Sequence, residues 1–136
     1  MQFVIDNWLL FLALAIILAL LLGEPLKRKM LNIDMISVAD VPRLTGHDNA
    51  VLVDVREDKE YKAGHIPDAL SVPLSGLSKN ISKLEKYKNK PLILSCRTHN
   101  RSLRAATILS RQGFEDLKVL HGGFMAWQKE NLPIEK

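Results

Sequence analysis

The sequence predicts an α/β domain, in which helices flank a mostly parallel sheet, preceded by one apolar helix. From residue 37 onward, short apolar runs alternate with segments of helical periodicity, a pattern that favours a parallel sheet. Residues 8–22, WLLFLALAIILALLL, contain no polar side chain. A charged fraction of 25% with 47% hydrophobic residues indicates a folded chain rather than a disordered one.

The apolar stretch near the amino terminus is predicted to be a transmembrane helix. It runs from residue 3 to 22 and is interrupted only by Asp6 and Asn7. About 20 helical residues cover a bilayer's hydrocarbon core. A buried core helix would rarely be apolar on every face. The basic residues 27–29 follow the stretch and none precedes it, which argues against a cleaved signal peptide and places the remaining chain in the cytoplasm.

The chain is therefore divided into three parts. Residues 1–29 form the anchor with its basic juxtamembrane segment, residues 30–36 a short connector, and residues 37–136 a single domain. The connector leaves little slack, so we expect the domain to lie close to the membrane surface.

Four strands are predicted from short apolar runs. The run at 51–55 has valine at three of its five positions, as in a strand covered on both faces, and the run at 70–72 ends at Pro73. The other two strands are expected over 92–95 and 117–120.

Helices are predicted between these strands. A short helix over 38–44 has Ser37 as its cap, and another covers 58–63 before Gly64. Apolar residues at spacings of four, three and three predict an amphipathic helix over 77–87. The last two helices are expected over 102–112, before a glycine, and over 124–130.

The bulk charge and the cysteine content exclude several classes of protein. Cys96 is the only cysteine, so an internal disulfide and a cysteine-rich zinc site are excluded. The net charge of +4 is modest and partly concentrated at 27–29, which argues against nucleic-acid binding. A lone thiol is compatible with a reducing compartment.

The surroundings of Cys96 predict a reactive thiol. It follows a predicted strand, and ligands of parallel sheets bind beyond the carboxyl ends of the strands. The amides of residues 97–101 and of the next helix can face an anion. A guanidinium from Arg97 or Arg101 at about 6 Å would supply roughly 2.8 kcal/mol, more than the helix dipole. We expect a thiolate at neutral pH; the alternative is a buried structural thiol.

Four stretches of the domain, in order along the chain, resemble motifs of the rhodanese family of sulfurtransferases. They are VLVDVRE (51–57), EYKAGHIPDALSVP (60–73), CRTHNRS (96–102) and VLHGGFMAWQKENLP (119–133). The resemblance implies a rhodanese-like five-stranded parallel sheet flanked by helices. Together with the anchor, it resembles the membrane-anchored single-domain bacterial type, at the inner membrane.

The resemblance also implies a reaction and its site residues. Cys96 would take the sulfane sulfur of a donor anion such as thiosulfate as a persulfide and pass it to cyanide, a small thiol or a protein thiol. Asp54 and Arg56 would support the site by pairing, and no cofactor or metal is implied. The substrate would be bound by Arg97, Thr98, His99, Asn100, Arg101 and Ser102.

Two residues depart from the family pattern, and two other functions remain open. His99 stands where glycine is frequent, and either donates to the substrate or faces solvent; Asp68 stands where glycine or asparagine is common.

A phosphatase or arsenate reductase of the related type has five residues between its cysteine and arginine, whereas four separate Cys96 from Arg101. The other alternative is a membrane-tethered binding module with little or no catalysis.

Overall fold

The computed structural model describes the backbone of residues 1–136 and every side chain except those of residues 24, 25 and 27–30. The predicted basic cluster at 27–29 therefore lies outside the described side chains. The chain divides into two compact units, Met1–Leu31 and Asn32–Lys136.

The first unit is helical. Helix α1 covers Gln2–Asp6, and helix α2 covers Trp8–Met30. The large apolar side chains that the structure describes in α2 are exposed, Leu20 to 74%. Among the described residues, no helix combines the length and the apolar character needed to cross a membrane, so the predicted transmembrane helix is not confirmed.

The second unit is built on five parallel strands in the order β1-β5-β4-β2-β3, which confirms the predicted sheet. Strand β4 lies at the centre, and all of its residues are buried. The strands are β1 (Ile33–Ile36), β2 (Val51–Asp54), β3 (Leu70–Ser71), β4 (Leu92–Ser95) and β5 (Leu117–Leu120).

Strand β1 lies within the segment 30–36, which the sequence predicts to be a connector. Its pattern is short and is interrupted by Asp34, so the sequence alone does not identify it. Its partner explains it: Asp34 lies opposite Lys118 of β5, and the carboxylate accepts from the Lys118 Nζ at 3.4 Å. An edge strand of this kind is defined by its neighbour rather than by its own residues.

Five helices surround the sheet: α3 (Val41–His47), α4 (Asp58–Ala63), α5 (Leu77–Asn80), α6 (Asn100–Arg111) and α7 (Gly123–Lys129). Two predicted helices are divided differently. The first begins as a 3-10 turn over Val38–Asp40, closed by a bond from the Ser37 amide to the Asp40 carboxylate. The second continues from α5 as a 3-10 helix over Ile81–Tyr87, where apolar residues recur every third position.

The core explains why the central strands are continuously apolar. Leu92, Ile93 and Leu94 are fully buried, and neighbouring side chains of a strand point to opposite faces. Ile93 packs in a cluster with Phe124 and Trp127 of α7, while α6 packs against β4 and β5. Burial of each such side chain stabilises the domain by about 1.5–3 kcal/mol. The sheet therefore provides a rigid support for the loops at its carboxyl edge.

Candidate active site

The carboxyl ends of three neighbouring strands bring the candidate residues together. Strand β4 leads directly into Cys96, β2 ends in Asp54, and β5 leads through His121 to the start of α7. Because the strands are parallel and adjacent, these residues share one edge of the sheet. The position predicted for Cys96 is therefore the position the structure shows.

The loop after Cys96 is docked on the amino end of α7 through its carbonyl groups. The amide of Phe124 donates to the Cys96 carbonyl at 2.7 Å, and the amide of Met125 donates to the Arg97 carbonyl at 3.1 Å. The first amides of a helix have no partner within the helix. In α7, two of these amides are satisfied by the loop carbonyls.

Gly123 makes this close approach feasible. Its φ is +53°, and a Cβ at this position would overlap the carbonyl oxygens of Cys96 and Thr98. Both obstacles are backbone atoms, which cannot move aside as a flexible side chain could. Glycine is therefore required here both by its backbone conformation and by the space available.

The docking of the carbonyls decides where the loop amides point. In a planar trans peptide, the N–H of one residue points opposite to the carbonyl of the residue before it. The carbonyls of Cys96, Arg97 and Thr98 face α7, so the amides of residues 97–99 face away from it. Among the described residues, none accepts a hydrogen bond from these amides. They form a set of donors suited to an anion.

The side chains of this loop differ in exposure. Cys96 is a free thiol with 1% exposure, while Arg97 and Asn100 are exposed and Thr98 is half-buried. Helix α6 begins at Asn100, earlier than predicted, because the Leu103 amide donates to the His99 carbonyl at 3.0 Å.

Ser102, in the first turn of α6, is fully buried, and its hydroxyl has no hydrogen-bond partner. It is the only such buried side-chain atom among the described residues.

His99 does not need the left-handed conformation that glycine would permit. Its φ is −159°, and no residue of the loop 96–101 has a positive φ. Its ring stacks on His121, with ring centroids 5.5 Å apart and planes at 21°. The ring of His99 therefore has a protein partner at the edge of the site. Among the described residues, no group of three His, Cys, Asp or Glu side chains could hold a metal ion.

Asp54 and Arg56 form the pair that the sequence predicts. The Arg56 guanidinium donates to both carboxylate oxygens at 2.8–3.1 Å and to the Gly64 carbonyl at 2.7 Å. Its guanidinium carbon lies 4.2 Å from the centre of the Phe124 ring. Both side chains are buried, so the pair ties β2, α4 and α7 together beneath the site rather than presenting a free charge.

Arg101 is also paired, by a residue outside the predicted site. Its NH1 and NH2 groups donate to the two oxygens of Glu60 at 2.6 and 3.0 Å. This hydrogen bond lowers the pKa of Glu60 to about 2 against the opposing effect of burial. It also raises the pKa of Arg101, to which the charges of Cys96 and Asp54 contribute less. The partners lie 41 positions apart along the chain. The one signal in the sequence was that each lies in a stretch that resembles a family motif.

The site therefore carries less free positive charge than its sequence indicates. Arg56 and Arg101 are neutralised by carboxylates, and Arg97 is exposed. The backbone amides of residues 97–99 therefore offer positive potential near Cys96 that does not depend on an unpaired arginine.

Comparison with known protein families and structures agrees with this geometry. The rhodanese-like domain family matches residues 37–130. The chain belongs to this family. At the level of the family, its relatives include thiosulfate sulfurtransferases, such as GlpE of Pseudoalteromonas translucida. GlpE is 38% identical over 93 residues, covering 68% of this chain and 87% of its own.

Two further relatives show the extent of the similarity. The uncharacterized protein YibN of Escherichia coli K12 is 30% identical over 135 residues, which cover 98% of this chain and 94% of its own. A rhodanese-related protein of Thermoplasma volcanium has the same fold, with a TM-score of 0.66 and 28% identity over 75% of this chain and 97% of its own. The similarity to YibN therefore includes the first helical unit.

Replacement of Gly123 by alanine should disrupt the docking of the loop. The new Cβ would push against backbone oxygens in a left-handed conformation, and we expect a loss of about 2–4 kcal/mol in the free energy of unfolding. Chemical denaturation measures it. Gly46→Ala is the control, because a Cβ at Gly46 meets nothing within 4 Å; equal losses in both variants would contradict the docking argument.

Replacement of Glu60 by glutamine should destabilise the domain in a pH-dependent way. The pKa of Glu60 falls from 4.5 to about 2 on folding, so its stabilisation is complete above pH 4.5 and disappears as the pH falls toward 2. With side chains 31% and 33% exposed, we expect only about 1 kcal/mol at neutral pH. Denaturation of both proteins at several pH values measures this difference, and a difference that persists at low pH would argue against it.

Proposed function

We propose that the protein is a sulfurtransferase that carries sulfane sulfur on Cys96. The observation that supports this most strongly is the loop geometry. A single free cysteine follows the central strand, and the loop after it holds its carbonyls against α7, leaving the amides of residues 97–99 for an anion. The donor would be an anion such as thiosulfate, and the acceptor a thiol or, in an assay, cyanide.

The reaction would take place in two displacements. The Cys96 thiolate attacks the outer sulfur of thiosulfate, the sulfur–sulfur bond breaks, and sulfite leaves with the electron pair. The acceptor thiolate then attacks the outer sulfur of the Cys96 persulfide, and the Cys96 thiolate leaves. Donors placed where negative charge resides or develops would lower the barrier of both steps.

The side chains around the loop would have different roles in these steps. The amides of 97–99 and the first turn of α6 would hold the sulfonate or the departing sulfite. Arg101, held beside Cys96, would offer its remaining N–H groups to the same anion, while Arg97 at the surface would attract it. The predicted contributions of Thr98, His99, Asn100 and Ser102 to substrate binding belong to this proposal.

A binding module is the second candidate, and a specific observation favours it. Cys96 is 1% exposed, and the two inner arginines are neutralised by carboxylates. Cys96 must therefore become accessible before a donor can react. If the site never opens, the domain could bind a partner but could not transfer sulfur.

Intact-mass measurement after incubation with thiosulfate tests the sulfurtransferase proposal. We expect the protein to gain the mass of one sulfur atom, to lose it on addition of cyanide, and to remain unchanged when Cys96 is replaced by serine. Release of phosphate from an aryl phosphate would indicate phosphatase chemistry instead. Absence of both reactions would favour the binding module.

We propose in addition that the first unit attaches the domain to the bacterial inner membrane, with the domain on the cytoplasmic side. Residues 8–22 contain no polar side chain, and the large apolar side chains described there are exposed. Exposed apolar surface of this extent marks an interaction surface. The basic residues at 27–29 would favour the cytoplasmic orientation.

Cell fractionation tests the membrane proposal. We expect the full chain to sediment with membranes, to resist extraction at alkaline pH, and to be protected from protease in spheroplasts. Ile17→Lys introduces a charge that costs about 2.5–3.5 kcal/mol in the centre of a membrane helix, so this variant should be extracted more readily. Recovery of the unaltered chain in the supernatant would contradict the attachment.

A further inference from the structure

We propose that Glu60 is a positioning residue, which sets the direction of the Arg101 guanidinium before an anion arrives. The inference rests on the proposed function, because it assumes that the site beside Cys96 receives a sulfur-bearing anion. It gives a role to a carboxylate whose charge, considered alone, would oppose the binding of any anion.

The contact between the two side chains fixes the guanidinium plane. Both oxygens of Glu60 accept from Arg101, and the shorter distance is 2.6 Å. A bidentate pair of this kind restricts orientation as well as distance. Among the described acceptors, none other receives a hydrogen bond from Arg101, so its remaining N–H groups stay available to a ligand.

Glu60 is itself held in place by the start of α4. Its Oε1 also accepts from the Glu57 amide at 3.2 Å, which closes a capping box at the amino end of this helix. The Glu57 carboxylate in turn accepts from the Ser75 hydroxyl at 3.2 Å. The orientation of Arg101 therefore depends on the backbone at the start of α4, which holds Glu60.

Two physical effects of Glu60 oppose each other. Its negative charge cancels part of the field of Arg101, which weakens attraction of an anion. Its hydrogen bonds remove rotamer freedom from a long side chain, so that less freedom is lost when the anion binds. We expect the second effect to be larger. Whether replacement of Glu60 weakens or strengthens anion binding decides between them.

The experiment measures thiosulfate affinity in full-length protein carrying Cys96→Ser, which binds the donor without turnover. Glu60→Gln keeps the size of the side chain but places an NH₂ group against the guanidinium donors. We expect the dissociation constant for thiosulfate to rise about tenfold, the effect of one lost charge-assisted hydrogen bond. Isothermal titration calorimetry measures the change.

Two controls separate positioning from a general structural effect. Glu57→Gln removes a neighbouring negative charge that does not contact Arg101, but it keeps the backbone amide that donates to Glu60 and a side-chain oxygen that can accept from Ser75. We therefore expect affinity to stay within about twofold. In an Arg101→Gln background, Glu60→Gln should likewise change affinity less than about twofold, because the residue through which it acts is gone.

Three results would overturn the inference: tighter or unchanged binding by Glu60→Gln, an equal effect of Glu57→Gln, or an equal effect of Glu60→Gln in both backgrounds. Failure of the reference protein to bind thiosulfate would overturn it as well. Failure of the proposed function gives a different pattern. The unaltered protein would then gain no sulfur, while thiosulfate binding and its dependence on Glu60 would persist.

Discussion

The contact between the Cys96 loop and the amino end of α7 is the constraint on which the site depends. Three loop carbonyls face this helix, two of them accept from its first amides, and Gly123 leaves the space that they occupy. Peptide planarity then turns the next amides to the opposite side. The anion donors are thus a consequence of how the loop is docked, and they require no unusual conformation within the loop itself.

Buried and half-buried ion pairs hold the surrounding segments in place. Asp54 with Arg56 joins β2 to α4 and α7, and Glu60 with Arg101 joins α4 to α6. An unpaired charge at these depths would be costly, whereas a bidentate pair satisfies its donors and acceptors together. The predicted site is rich in arginine, but in the folded domain carboxylates pair with two of these arginines. The surroundings of Cys96 are therefore more nearly neutral and more rigid than the sequence indicates.

Much of the domain could be predicted from local patterns. Local patterns identify three elements: the valine-rich run at 51–55, the apolar run at 92–95 and the helical spacing before Gly113. Burial selects these residue types at these periods. The edge strand β1 could not be found in this way. It is short and contains Asp34, and it becomes a strand through pairing with β5, which lies more than eighty residues away along the chain.

The sequence by itself determined the α/β class, the position of Cys96 beyond the central strand and the loop that follows it, because these depend on neighbouring residues. Only the tertiary structure decided that Glu60 binds Arg101, that His99 stacks on His121 and that Gly123 admits the loop carbonyls. Each of these contacts joins segments that are distant in the chain. Their distances follow from the packing of helices on the sheet, and no local pattern of residues encodes that packing.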